Sequence, residues 1–215
     1  MIESLSNADV IECLRRMAQD VSAEAESLRA LDAAIGDGDL GITVTLGLQA
    51  VVEGLPALAD EATADIATTI MKSGMAFNRK AASTFGALFA TMMMRAARVA
   101  KGKSEIDLST LAEMCAAAAD GVRERGKSDV GDKTLLDALV PAAQALAQAA
   151  AEGATLPAGL ERAAVAAEQG ARATIPMKSK IGRAAWFADR TAGIQDPGAT
   201  AVSLMVRSLA GYVAV

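Results

Sequence analysis

Residues 135–151, LLDALVPAAQALAQAAA, decide the fold class of this sequence. The stretch is rich in Ala, the strongest helix former, and its apolar residues recur at helical spacing. Other Ala-rich segments follow along the 215 residues, of which 52% are hydrophobic and only 3% aromatic. The sequence therefore predicts an all-α protein whose small side chains let the helices approach closely.

Clusters of glycine, proline and charged residues divide the chain into eight predicted helices. Short links between helices make neighbours antiparallel, so we expect an eight-helix antiparallel up-and-down barrel or bundle that forms one domain over residues 1–215. The helices are predicted from about Asn7 or Asp9 to Ala34, from after Gly41 to near Pro56, from about Glu61 to Asn78, from about Gly86 to Ala100, from Asp107 to near Gly126, from after Asp132, from about Pro157 to Thr174, and from about Gly198 to Val213.

Composition excludes several classes of function. The chain has no histidine, so catalytic triads and histidine-based zinc sites are ruled out. Its net charge of −5 gives no basic surface for nucleic acid. The opening residues MIESLSNADV show no signal peptide, and residues 135–151 carry an aspartate and two glutamines, which is too polar for a membrane span. We expect a cytoplasmic protein that binds neither nucleic acid nor membrane.

Residues 31–41, LDAAIGDGDLG, place three carboxylates within eight positions. Converging carboxylates repel one another unless a cation lies between them, and ligands that are all oxygen favour Mg²⁺ or Ca²⁺. An EF-hand is excluded, because the twelfth position from Asp32 is Thr43 and from Asp37 is Leu48. Gly41 opens a helix whose free amides can receive phosphate. The alternative is a polar turn in which the aspartates only cap helices.

Three other segments are more polar than a helix link requires. In residues 78–89, Ser83 or Thr84 can be an ordinary N-cap. Residues 125–137 lack the spacing of a P-loop. Residues 177–200 combine several cations with the single Trp, either as a functional loop or as a solvated basic one. Together with the acidic cluster, these segments predict a metal–phosphate site.

The motifs in residues 32–41, 131–138, 182–184 and 195–200 resemble those of the nucleotide-binding (DhaL-type) subunit of dihydroxyacetone kinases. The match runs in order through nearly the whole chain. The resemblance implies an eight-helix barrel that carries ATP or ADP at one rim and acts as a kinase subunit. It also implies a partner subunit that holds a small ketose covalently through its own histidine and, in some systems, a phosphocarrier protein that recharges ADP.

The resemblance also implies roles for individual residues. Asp32, Asp37 and Asp39 correspond to the family's ligands for two Mg²⁺ ions, which assist phosphoryl transfer and so count as catalytic. The remaining positions would contact the nucleotide, with Arg183 pairing with phosphate oxygens. These positions are Leu40, Gly41, Thr43, Thr84, Phe85, Gly126, Leu135, Arg183, Asp196, Pro197 and Gly198.

The sequence departs from the family at phosphate-contacting positions. Leu40 and Thr43 stand where the family has His and Asn, Phe85 replaces a small polar residue, and Ile194 replaces a second His. Each lost hydrogen bond to a charged group costs about 1.5–3 kcal/mol, which predicts weaker nucleotide binding unless Thr43, Ser83 or Thr84 compensates. Two alternatives follow: a regulatory or scaffold subunit without turnover, and a helical carrier of an apolar ligand.

Overall fold

The computed structural model describes residues 2–60 and 65–214, except for the side chains of Asp60, Arg183 and Phe187. The elements in this part are helical, which confirms the predicted all-α class, and an isolated bridge joins Leu5 to Ile106. The α-helices are α1 (Asn7–Ala23), α2 (Ala25–Ile35), α3 (Leu40–Asp60), α4 (Ile66–Lys80), α5 (Thr84–Ala100), α6 (Leu108–Gly126), α7 (Leu136–Ala151), α8 (Leu156–Ala173), α9 (Ala188–Thr191) and α10 (Pro197–Val213), with a 3₁₀ turn at Arg183–Phe187.

Eight long helices of the described part form a closed ring. Helix α1 packs on α3, each helix from α3 to α8 packs on the next, α8 packs on α10, and α10 returns to α1. Since short links join most of these neighbours, they run antiparallel, as the predicted barrel requires. Helix α2 lies outside the ring against α3 and α10, and α9 belongs to the loop between α8 and α10.

Side-chain caps set where many of these helices begin. A serine, threonine or aspartate just before the helix accepts a hydrogen bond from a backbone amide of the first turn, which contributes about 1 kcal/mol per helix. Among the described helices these caps are Ser6, Asp65, Ser83, Asp107, Thr155 and Asp196.

Two predicted helix bounds are wrong. The first helix was predicted to continue to Ala34, but in the structure α1 ends at Ala23. The backbone leaves the helical conformation at Glu24 (φ −96°, ψ 10°), and α2 begins after it as a separate helix. The predicted second helix does not end near Pro56, since α3 continues through this proline to Asp60 and keeps Leu58 buried. The predicted start of the third helix at Glu61 lies outside the described residues.

The barrel interior is filled by Leu, Ile, Val and Ala, with an aromatic cluster near one rim. Phe77 of α4 is fully buried, and its ring centroid lies 4.3 Å from that of Phe89 and 6.2 Å from that of Phe85. The segment Leu40–Ala59 is long and apolar enough to cross a bilayer by length and composition. In the structure this segment packs against α1 and α4 as part of the barrel wall.

Alternate links lie at the same end of an up-and-down barrel. The links that precede α5, α7 and α10 therefore share one rim, and α2 with the start of α3 completes it. The start of α1, the end of α10 and the α5–α6 link share the opposite rim, where Leu5 and Ile106 exchange backbone hydrogen bonds of 2.8 and 2.9 Å. The motif-bearing segments thus come together at one rim.

Candidate functional site

A cavity of about 570 Å³ opens at the rim that carries the motifs. Helices α3, α5, α7 and α10 all begin at its wall, so the positive ends of four helix dipoles point toward the same space. The acidic cluster lies on the wall formed by α2 and α3. Backbone amide dipoles beside carboxylates suit a ligand that is an anion accompanied by cations.

The three aspartates of residues 31–41 converge as predicted. One carboxylate oxygen from each of Asp32, Asp37 and Asp39 lies within 4.8 Å of the others. Asp32 lies in the last turn of α2, and its Oδ2 accepts a hydrogen bond of 3.1 Å from the amide of Leu40, the first residue of α3. Asp32 therefore joins the two helices as well as contributing to the cluster.

Glycines allow the chain to turn between α2 and α3. A Cβ atom at Gly36 would lie 2.5 Å from Oδ1 of Asp32, so a larger residue would displace that carboxylate. Gly38 has φ +75°, in the left-handed region that favours glycine. These two glycines let Asp37 and Asp39 turn back toward Asp32.

The acidic cluster fits a hard divalent cation. Its ligands are carboxylate oxygens from a loop and a helix end, Asp37 and Asp39 are exposed, and Asp32 is half-buried, so water can complete the coordination. Mg²⁺ usually binds through a few carboxylates, several waters and substrate phosphates. The residues present therefore fit Mg²⁺, and the cavity leaves space for a phosphate beside them.

The start of α5 forms a second wall of the cavity. Ser83 is the N-cap, and its Oγ accepts a hydrogen bond of 3.0 Å from the amide of Gly86, so the capping interpretation of this segment is correct. Thr84 and Phe85 also line the cavity. Phe85 is buried against Phe77 and contributes to the core as well as to the wall.

The α6–α7 link forms a third wall and is held by a buried carboxylate. Asp137 accepts hydrogen bonds from the amide of Gly131 (2.6 Å, Oδ1) and from the amide of Thr134 (2.7 Å, Oδ2). Asp137 itself is 2% exposed. This carboxylate fixes the link so that Leu135 and Gly126, the last residue of α6, face the cavity.

The start of α10 closes the cavity. Asp196 caps this helix by accepting a hydrogen bond of 2.7 Å from the amide of Ala199. Burial raises the pKa of Asp196 to about 7, and the charge of Asp137 adds to the rise, whereas the Ala199 amide and the Lys133 cation oppose it.

The cavity brings together most of the predicted site residues. Gly41 is the exception, because it does not line the cavity and instead allows α3 to approach the carbonyl of Ala25. The side chain of Arg183 lies outside the described part, so its phosphate contact stays a prediction. The predicted residues that line the cavity are Asp32, Asp37, Asp39, Leu40, Thr43, Thr84, Phe85, Gly126, Leu135, Asp196, Pro197 and Gly198.

Sequence reasoning assigned no role to several other lining residues. Lys133 is 3% exposed and has a left-handed backbone (φ 62°), although lysine is normally a surface residue. Arg125 is an exposed cation at the cavity, and Ile35 and Ile181 add apolar surface. The one available signal was the position of Lys133 inside the motif of residues 131–138.

Geometry and chemistry together define a helical barrel with a cavity at one rim that combines an acidic cluster with four helix N-termini. Comparison with known proteins is consistent with this class, since the DAK2 domain family matches residues 34–211. The chain belongs to the DAK2 domain family.

Two curated relatives are similar over most of their own length. The chain is 39% identical over 207 residues to the ADP-binding subunit DhaL of the PEP-dependent dihydroxyacetone kinase of Escherichia coli (strain K12), covering 96% of this chain and 97% of that one. It is 34% identical over 188 residues to the ADP-binding subunit DhaL of PEP-dependent dihydroxyacetone kinase 2 of Listeria innocua, covering 86% and 85%.

A solved structure shares the fold. The dihydroxyacetone kinase from C. freundii, crystallised with AMP-PNP and Mg²⁺, superposes with a TM-score of 0.74 at 24% identity. The match covers 98% of this chain and 35% of that one. The shared architecture is therefore one part of a longer kinase chain in that protein.

Proposed function

We propose that this chain is the nucleotide- and magnesium-binding subunit of a two-component kinase that phosphorylates dihydroxyacetone or a related small ketose. The observation that carries the proposal is the placement of three converging carboxylates beside four helix N-termini in one cavity. The two DhaL relatives, which are named as ADP-binding subunits, support the same conclusion.

Each wall has a defined part in this function. Asp32, Asp37 and Asp39 would hold two Mg²⁺ ions, which neutralise phosphate charge when bound. The N-terminal turn of α5 presents backbone amides toward the same space. Gly126 and Leu135 line the same cavity and offer an apolar surface on which a nucleobase can pack.

The ketose and the phosphoryl source would be supplied by other chains. Since this chain has no histidine, the histidine-bound ketose that the family resemblance implies would belong to a partner subunit. The names of both relatives specify PEP dependence, which supports a phosphocarrier protein as a further partner. We place the activity in the cytoplasm, because Cys13 and Cys115 are free thiols and a reducing compartment keeps them so.

Calorimetric titration tests nucleotide binding. We expect ADP and ATP to bind with Mg²⁺ and to bind much more weakly after EDTA treatment. Asp37→Asn removes one predicted metal ligand and should weaken Mg-nucleotide binding at least tenfold, as metal-site changes commonly do. Glu113→Gln, at an exposed position of α6 that does not line the cavity, is the matched control and should bind as the unmodified protein does. Absence of binding by the unmodified protein at millimolar nucleotide would refute the proposal.

A reconstituted kinase assay separates turnover from a regulatory role. The purified chain is mixed with a ketose-binding subunit and dihydroxyacetone, and the phosphoryl source is either ATP or a phosphocarrier charged from phosphoenolpyruvate. Formation of the phosphorylated ketose with either source supports the kinase subunit. Nucleotide binding without product from either source would favour the scaffold alternative, which the substitutions at Leu40, Thr43 and Phe85 suggest.

A further inference from the structure

Lys133 is a buried cation whose donors are all used by one loop. Its ammonium group donates hydrogen bonds to the backbone carbonyls of Met177 (3.0 Å), Thr191 (2.5 Å) and Ile194 (2.6 Å). An ammonium has three N–H donors and no acceptor, so the three carbonyls satisfy it completely. No carboxylate is needed to hold this side chain in place.

The three carbonyls come from both ends of the loop that joins α8 to α10, residues 174–196. Met177 lies near its beginning, and Thr191 and Ile194 lie near its end. Two hydrogen bonds inside the loop hold the same ends together: the Gly193 amide donates to the Ile175 carbonyl (2.7 Å) and the Ser179 amide donates to the Thr191 side-chain hydroxyl (2.9 Å). Lys133 therefore binds the loop where its two ends meet.

The loop and the lysine belong to two walls of the same cavity. Lys133 lies in the α6–α7 link beside Thr134 and Leu135, which line the cavity, and the loop contributes Ile181, Gly182 and Ala184 to the adjoining wall. Burial lowers the pKa of Lys133, and the negative charge of Asp196 opposes that change. Burial of a charged group costs free energy, and the three carbonyl contacts of Lys133 offset that cost.

We propose that Lys133 is a positioning residue for nucleotide binding, which fastens the loop of residues 174–196 to the α6–α7 link and so holds the wall of Ile181, Gly182 and Ala184 against the bound nucleotide. The identity of the ligand rests on the function proposed above. The fastening of the loop does not, because it rests on the three carbonyl contacts of Lys133. The neighbouring Asp132 adds to them, since its carbonyl accepts a hydrogen bond of 3.2 Å from the Lys180 amide and its carboxylate one of 3.1 Å from the Lys180 ammonium group.

Lys133→Met tests the proposal by removing the three donors while keeping a long, unbranched side chain at a left-handed position. A hydrogen bond to a charged group changes an equilibrium constant by about 10–100-fold. We expect hydrogen exchange at the amides of Ser179 and Gly193 to quicken at least tenfold without nucleotide. We expect the Kd for Mg-ADP to rise at least tenfold, while the Kd for Mn²⁺ alone, which reports the acidic cluster, stays within twofold.

Lys178→Met is the matched control, since it removes an exposed lysine of the same loop that pairs with Asp189. Exposed ion pairs contribute little, so exchange and nucleotide affinity should both stay within twofold. Leu160→Ala, at a fully buried position of α8, controls for lost stability and should leave the Kd for Mg-ADP unchanged below the unfolding temperature. If Lys133→Met does not fold, Lys133→Gln replaces it. This variant keeps two donors, and it should also quicken hydrogen exchange at Ser179 and Gly193 and raise the Kd for Mg-ADP.

Different results would overturn different parts of the reasoning. Unchanged exchange at Ser179 and Gly193 would overturn the fastening role of Lys133. Faster exchange with an unchanged Kd for Mg-ADP would overturn the link to nucleotide binding, as would an equal loss of Mn²⁺ affinity. If the unmodified protein binds no nucleotide, the proposed function fails, and the exchange comparison still decides whether Lys133 fastens the loop.

Discussion

Gly41→Ala should loosen the contact between α2 and α3. An ideal Cβ at Gly41 would lie 2.1 Å from the carbonyl oxygen of Ala25, so the helices must separate by about 1 Å to restore van der Waals contact. Overpacking of this kind costs roughly 1–3 kcal/mol and sometimes more, while alanine gains about 1 kcal/mol in helix propensity over glycine. We expect a net loss of about 1–2 kcal/mol and a decrease in Tm of about 2–8 °C.

Gly54→Ala is the matched control in the same helix. A Cβ at Gly54 would meet no atom within 4 Å, so only the propensity gain remains and the Tm should rise by about 2–4 °C. Thermal and urea unfolding of the two variants measure the difference. Equal stability of the two variants would refute the packing argument for Gly41.

The same pair of variants separates packing from ligand binding at Gly41. Because the Leu40 amide donates to Asp32, movement of α3 should disturb the acidic cluster, and Gly41→Ala should weaken Mg²⁺ binding several-fold together with stability. Lost nucleotide binding with unchanged stability would instead support a direct phosphate contact by the Gly41 amide.

Three further outcomes are expected. Asp137→Ala leaves the part-buried amides of Gly131 and Thr134 without their acceptor and should lower the free energy of unfolding by about 2–4 kcal/mol. Asp137→Asn should lose about half as much in urea titrations, and a loss below about 1 kcal/mol for Asp137→Ala would contradict this. Since burial raises the pKa of Asp196 to about 7, the folded state keeps a proton that the unfolded chain loses near pH 4, and this group's contribution to stability falls as the pH rises from about 4 to 7. Asp196→Asn can still cap α10 but does not titrate. The free energy of unfolding of this variant should therefore rise by about 2–4 kcal/mol relative to that of the unmodified protein between pH 4 and 8. Parallel curves of unfolding free energy against pH for the two proteins would refute the raised pKa of Asp196. Saturating Mg²⁺ should raise the Tm over the EDTA-treated protein by about 5–10 °C in differential scanning calorimetry, and Asp37→Asn should remove most of that shift.

Local chemistry made much of the fold predictable. Caps such as Asp107 and Ser83 act within a few residues of themselves, so the sequence predicts where α5 and α6 begin. The bend at Glu24 could not be predicted, because no glycine or proline marks it and the packing of α2 outside the ring sets the new direction. The predicted end of the second helix near Pro56 was wrong for a related reason. Tertiary packing of α3 outweighs the loss of the backbone hydrogen bond that proline cannot donate, so the helix continues.

The candidate site likewise contains residues that local sequence predicts and residues whose role depends on the folded structure. Asp32, Asp37 and Asp39 are close in sequence, so their convergence follows from local glycine turns. Lys133 could not be assigned from its neighbours, because its acceptors are backbone carbonyls more than forty residues away that come together only in the folded loop. The Gly41 contact with Ala25 likewise depends on the bend at Glu24.

The hydroxyl of Tyr212 donates a hydrogen bond of 2.8 Å to Asp9, which brings the last turn of α10 beside the first turn of α1 at the rim opposite the cavity. A short peptide could therefore link the last turn of α10 to the first turn of α1, and the chain could be opened instead at the α7–α8 link, where Gly153 lies in an open turn on that same rim. Such a circularly permuted chain would keep every wall of the cavity. The same geometry lets a carrier or partner domain bind beside the first turn of α1 or the last turn of α10 without obstructing the ligand's path.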